Sequence, residues 1–262
     1  MPQRLNKWAQ LVLFGLAFSG SMFAQEQNQS RTTTTPHAAI GFSHDLSGVW
    51  MQYPGGMEAA INQKLRPPLT PWGQAKFDAT IPLLGPRAIA GKENNPILQC
   101  DPQGIPKLLV LPNPFEIVQT PRKSLMLFEQ GHDWRVIWTD GRPLPKNPDP
   151  TWDGYSVGRW DGDTFVVDTM GFNDKPWVDS YGSPRSEKMH VIERYRRVNQ
   201  GTLELAITMD DPKAYTKPWV NPPTRWKLEP WDIKEFYCIV DEENAYDKAV
   251  RIPAGGTSLL RK

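Results

Sequence analysis

From Phe115 to Met209 apolar and polar residues alternate with a period of two, in short runs broken by Gly, Pro, Asp and Asn. Successive side chains of a strand point to opposite faces, so this pattern predicts half-buried β-strands rather than helices. The runs are residues 115–120, 123–129, 134–139, 155–160, 163–169, 187–197 and 202–209, with 219–228 and 233–240 as further candidates and 45–50 as a short entry strand. Turn residues such as Pro121-Arg122 and Gly131-His132 link several of them directly, which predicts mostly antiparallel pairing. The expected fold is all-β, a single barrel or a β-sandwich, with one short helix and long Pro-rich loops. The helix is placed at 71–79, where Thr70 is the N-cap and Pro71 the first helical residue. Residues 82–114 carry seven prolines, which excludes regular structure over most of that stretch. A long ordered loop of this kind is a candidate cover over one end of the core.

The stretch 152–172 organises the rest. Asp161-Gly162 between two strand-like runs is a hairpin signal, because a type I′ turn needs φ > 0 at both central residues. With those residues as the turn, Tyr155 faces Asp168, Val157 faces Val166 and Trp160 faces Asp163. For the pair 187–197 and 202–209, a loop at 198–201 puts His190, Ile192, Leu203, Leu205, Ile207 and Met209 on one apolar face. Val191, Glu193, Tyr195, Glu204 and Thr208 then form the other face.

The N-terminus changes the picture of where the chain works. Residues 1–24 read as a secretory signal peptide, with Arg4 and Lys7 ahead of an apolar stretch too short to span a bilayer. Residues 25–44 read as a flexible polar leader, 45–240 as one antiparallel β domain and 241–262 as a C-terminal tail. Loss of Arg4 and Lys7 moves the formal charge from +1 to −1. A near-neutral chain gives no electrostatic reason to expect nucleic acid as a partner. No later segment has the length of an apolar span, so no integral membrane segment is expected in the mature chain. The expected location is periplasmic or extracellular. There, Cys100 and Cys238, the two cysteines of the chain, either pair as a disulfide or stay as separate buried thiols.

Candidate chemistry centres on His190, placed among aliphatic side chains, where an imidazole can serve as general acid or base. Asp168 is a carboxylate in a β-branched run and needs a partner if it is buried. It is a candidate to orient His190 or to act itself, with Tyr155 across the hairpin. These three are the candidate catalytic residues; the bland alternatives are a hydrogen-bonded core histidine and a turn-capping aspartate. Trp138, Trp160, Trp177 and Arg194 are candidate substrate contacts, since aromatic rings stack on sugars and aromatic ligands, though such rings also staple loops to sheets. No metal and no cofactor is expected. The four histidines (37, 44, 132 and 190) lack ligand spacing, and Asp149, Asp153, Asp161 and Asp163 do not form an EF-hand pattern. Ser156, flanked by Gly154 and Gly158, lies in a strand pattern rather than at a strand-to-helix elbow.

The chain resembles a group of secreted bacterial proteins through Asp140-Gly141-Arg142, Asp149-Pro150-Thr151-Trp152, Ser156-Val157-Gly158-Arg159-Trp160, Val166-Val167-Asp168-Thr169 and Gly171-Phe172-Asn173-Asp174. The resemblance continues through His190-Val191-Ile192-Glu193-Arg194 and from Asp210 to Trp219. It implies a shared fold and no activity. That group often has histidine where this chain has Arg185, which leaves Arg185 outside the candidate site. By fold-level analogy the barrel is lipocalin-like, of the calycin type. The functional expectation is a secreted barrel that binds a small apolar or aromatic molecule, with metal-independent isomerase, lyase or hydrolase chemistry on it. The alternatives are a non-catalytic carrier of lipid, pigment or glycan, and a structural envelope protein.

Overall fold

The structure is a computed structural model and describes residues 42–52 and 66–255. The expected signal peptide, the leader up to residue 41 and the last seven residues of the expected tail lie outside the described residues.

Among the described residues ten strands form one sheet: β1 (Gly48–Gln52), β2 (Phe115–Gln119), β3 (Lys123–Phe128), β4 (Trp134–Trp138), β5 (Tyr155–Asp161), β6 (Thr164–Met170), β7 (His190–Asn199), β8 (Thr202–Asp210), β9 (Trp219–Val220) and β10 (Thr224–Glu229). Strands β1 to β8 follow in chain order; β10 pairs with β1 on one side and with β8 on the other. That last pairing closes a nine-stranded barrel and decides between barrel and sandwich. The two-residue β9 adds to β8 at Thr208 and Met209, beyond the point where β10 leaves it. All pairs are antiparallel except β4–β5, where Ile137 lies beside Ser156 and Trp138 beside Val157. A parallel pair needs a long return connection, and residues 139–154 supply it.

The helix α1 (Pro71–Asp78) starts as the sequence predicts, with Thr70 Oγ1 accepting the Gly73 N–H at 3.0 Å. Its Gly73 meets the Ala214 carbonyl so closely that a Cβ there would lie 2.2 Å from that oxygen. A second short helix, α2 (Lys107–Val110), is buried. Two strand expectations fail for a stated reason. The run 219–228 is split because Pro222 and Pro223 have no N–H to give a ladder. Residues 233–240 form no strand, and α3 (Val240–Tyr246) begins where the tail was expected.

Both hairpin registers differ from the sequence expectation, by two residues in β5–β6, where no side chain changes face, and by one in β7–β8, where every side chain of β7 does. Asp161 pairs with Thr164, so the turn is Gly162-Asp163 and Gly162 takes φ +56°. Trp160 then lies opposite Phe165, with ring centroids 5.2 Å apart, and Tyr155 lies opposite Met170 rather than Asp168. In the β7–β8 hairpin a bulge between Arg197 and Asn199 takes up one residue. Val191, Glu193 and Tyr195 therefore turn inward beside Met209, Ile207 and Leu205, while His190 and Ile192 leave that face.

Large side chains occupy the barrel interior, among them Trp50, Phe115, Phe128, Tyr195 and Trp226. At the end where β5 finishes, His44 stacks on Trp160 with centroids 4.3 Å apart, and Arg197 donates to the Asp45 carbonyl. The last residues of the expected flexible leader are thus an ordered turn, Phe42–His44. At the other end the Pro-rich segment sends Ile105, Leu108, Leu109 and Val110 into the same core. Cys100 and Cys238 are joined by a disulfide that spans 138 residues of sequence. On chain-entropy grounds such a closure contributes about 5 kcal/mol. We predict that replacing both cysteines by serine lowers unfolding free energy by up to that amount, measured by urea denaturation; an unchanged midpoint would contradict a stabilising bond.

Candidate functional site

Strands β5, β6 and β7 lie side by side, and register fixes what their outer face presents. Asp168 is flanked by Val157 on β5 and Ile192 on β7, and Trp138 on β4 continues the same row. His190, at the start of β7, reaches across to β6: its Nε2 lies 3.2 Å from Asp168 Oδ1. Arg159 Nη1 donates to the other carboxylate oxygen at 2.5 Å. One carboxylate is thus shared by an imidazole and a guanidinium. The His190 side chain stays 30 % exposed while that of Asp168 is 17 % exposed. With Nε2–H given to Asp168, the neutral ring keeps its lone pair on Nδ1, the arrangement in which an imidazole accepts a proton from a bound molecule.

Tyr155 shares this outer face, but its hydroxyl accepts from Arg142 Nη1 at 3.2 Å instead of meeting Asp168. Arg142 is held by Asp140 and lies 3.7 Å over the Trp138 ring. The Arg142 contact draws the Asp140 carboxyl below its ordinary value. The remaining expected contacts disperse. Trp160 faces inward under His44, and Arg194 is exposed opposite Val166 and Ala206. Trp177 is buried, its ring 5.8 Å from the Lys107 ammonium. Asp153 and the pair Asp161 and Asp163 stand at opposite ends of β5, and Ser156 Oγ is spent on Thr169 Oγ1 at 3.0 Å.

Inside the barrel lies a network that the strand pattern did not disclose. Arg135 from β4 makes a bidentate pair with Glu193 of β7, at 3.0 and 2.7 Å, and the Tyr195 hydroxyl donates to the same carboxylate. Burial depresses the Arg135 guanidinium, but Glu193, by charge and hydrogen bond, together with Tyr195 and Asp153 outweighs it and holds it above its ordinary value. Burial, and then Glu193, push the Tyr195 phenol well up. Asp133 and Asp153 stand nearby, partly buried, and among the described residues neither Asp133 Oδ2 nor Asp153 Oδ1 has a hydrogen-bond partner. Burial raises both carboxyls; for Asp153, with the Asp133 charge added, the value reaches about 7. The visible signal for this network was a charge set within each of two β-rich runs, Arg135 and Glu193, which only their pairing explains.

Arg185 is fully buried and structural. It donates to the carbonyls of Asn173, Ile105 and Trp152 and to Asn173 Oδ1, and lies over the Phe172 ring. Burial pushes its guanidinium down to about 9, against the pull of Asp153. Comparison with protein-family models, with curated proteins and with solved structures found no match for the chain.

Two predictions follow from the interior charges. Glu193→Gln leaves Arg135 buried without a counter-charge and should cost about 3–5 kcal/mol of stability, read by denaturant unfolding; a loss under about 1 kcal/mol would mean that water reaches the guanidinium. Asp153, whose carboxyl sits near 7 folded against 3.8 unfolded, binds a proton in the folded state over that window. Its contribution is therefore fully present below about pH 4 and lost as pH rises through 7. Asp153→Asn should remove that slope and gain on the order of 1–3 kcal/mol at pH 8, discounted for partial exposure. A wild-type slope retained in the variant would assign it elsewhere.

Proposed function

We propose that this chain is a secreted β-barrel protein that binds a small apolar or aromatic molecule on the outer face of β4–β7 and carries out metal-independent acid–base chemistry on it. The observation that carries this reading is the sharing of Asp168 between His190 and Arg159, with the imidazole edge open to solvent. Arg159 holds the Asp168 side chain in place, the carboxylate orients the ring, and His190 is the proton-transfer group. Trp138 and Tyr155, with Arg142 between them, offer aromatic surface and a cation for holding the bound molecule. The substrate class fits isomerisation, elimination or hydrolysis, where one group takes and returns a proton. Secretion to the periplasm or beyond is supported by the apolar N-terminal stretch behind Arg4 and Lys7 and by the Cys100–Cys238 disulfide.

A second reading is a carrier without catalysis, favoured by the openness of this face: the proton-transfer pair stands on a barrel wall, not in an enclosed pocket, and Arg142 over Trp138 is a binding surface in its own right. The test is a panel of apolar and aromatic esters, lactones and ketones, assayed with chelator present. On the enzyme reading turnover persists in chelator and falls about 100-fold or more in His190→Ala, while the thermal midpoint is unchanged. Tryptophan quenching by a compound recovered unaltered, equally in wild type and His190→Ala, establishes the carrier and removes the enzyme.

A further inference from the structure

We propose a second ligand site, separate from the His190 face, in the cleft between residues 66–68 and 217–220, suited to a small organic anion with an apolar body. The cleft has a volume of about 380 Å³ and is lined by Arg66, Pro67, Pro68, Lys217, Pro218, Trp219 and Val220. That volume lies in the range of small-molecule sites. Its two walls are tied to each other: Leu69 bridges to Tyr215, and the Thr216 N–H donates to the Pro68 carbonyl at 3.1 Å.

Trp219 is 2 % exposed, yet among the described residues its Nε1–H has no hydrogen-bond partner. A buried donor left unmade is expensive; the cleft as it stands leaves Nε1 no accessible surface, so a ligand acceptor relieves it once the cleft wall over the indole moves aside. The lining contains two cations and no carboxylate, so the acceptor that fits is anionic. Arg66 is braced, stacked 3.8 Å over Phe77 and donating to Ser183 Oγ, whereas Lys217 is exposed and makes no ion pair among the described residues. The prolines and Val220, which is 65 % exposed at the cleft, supply the apolar contact. Carboxylates and phosphate monoesters share this chemistry.

The test uses the full mature chain, labelled with ¹⁵N and with the Trp219 indole resonance assigned, titrated with phenyl phosphate, benzoate and inorganic phosphate. A saturable shift of that indole resonance with phenyl phosphate or with benzoate supports the site, and the tighter of the two names the acid group. Lys217→Gln and Val220→Glu should each weaken binding about tenfold with an unchanged thermal midpoint, while His190→Ala leaves it unaltered. A resonance unmoved by all three probes up to about 10 mM, weaker than any useful affinity, overturns the proposal. So does an affinity indifferent to both variants. Neither result bears on catalysis at His190.

Discussion

An ion pair inside the barrel sets the register on which everything else hangs. Arg135 and Glu193 come from strands separated by β5 and β6 and meet across the interior, the carboxylate saturated by the guanidinium fork and by Tyr195. A slip of one residue in β7 would carry Glu193 to the outer face and leave a bare guanidinium in the core, a change of several kcal/mol. The apolar pattern alone prefers Ile192 inside. The bulge between Arg197 and Asn199 lets Leu203, Leu205 and Ile207 stay inside while Glu193 joins them. Charge pairing overrode hydrophobic periodicity here, and the barrel accepted a local irregularity to accommodate it.

That choice moves the chemistry. Because Glu193 and Tyr195 point in, His190 points out and meets Asp168, which shares the outer face with Val157 and Ile192. Aromatic and aliphatic side chains fill the interior positions, so the groups able to act on a solvent-borne molecule stand on the barrel wall. The lumen serves stability. The wall between β4 and β7 carries the exposed histidine, the shared carboxylate and the aromatic–guanidinium stack.

The barrel ends are closed by chain that has little regular structure of its own, so its backbone groups need other partners. At one end Arg197 and Trp50 bind the carbonyls of Asp45 and Leu46. At the other, one buried guanidinium, Arg185, collects carbonyls from residues 105, 152 and 173, three loops that share no strand. A side chain with five donors in a fixed fork does what a ladder cannot in such a place. The same end holds Asp133 and Asp153, both carboxyls raised by burial, with Asp153 in the opposing field of Arg135 and Arg185.

Much of the strand content was legible in the chain, because period-two alternation and turn residues act locally: β2 to β8 lie close to where the pattern puts them, and Thr70-Pro71 starts α1. His190 and Asp168 could be singled out as unusual residues in apolar runs. Their meeting could not, since it depends on the β6–β7 register, which sets Asp168 beside Ile192, and on the bulge that turns His190 outward. Closure of the sheet by β10 against β8, the parallel β4–β5 pair and the joining of Cys100 to Cys238 are likewise long-range. Each is decided by burial and pairing between segments far apart in sequence, which no local pattern encodes. The inward Arg135 and Glu193 show the reason most plainly: either charge alone argues against a core position, and only their contact makes both at home there.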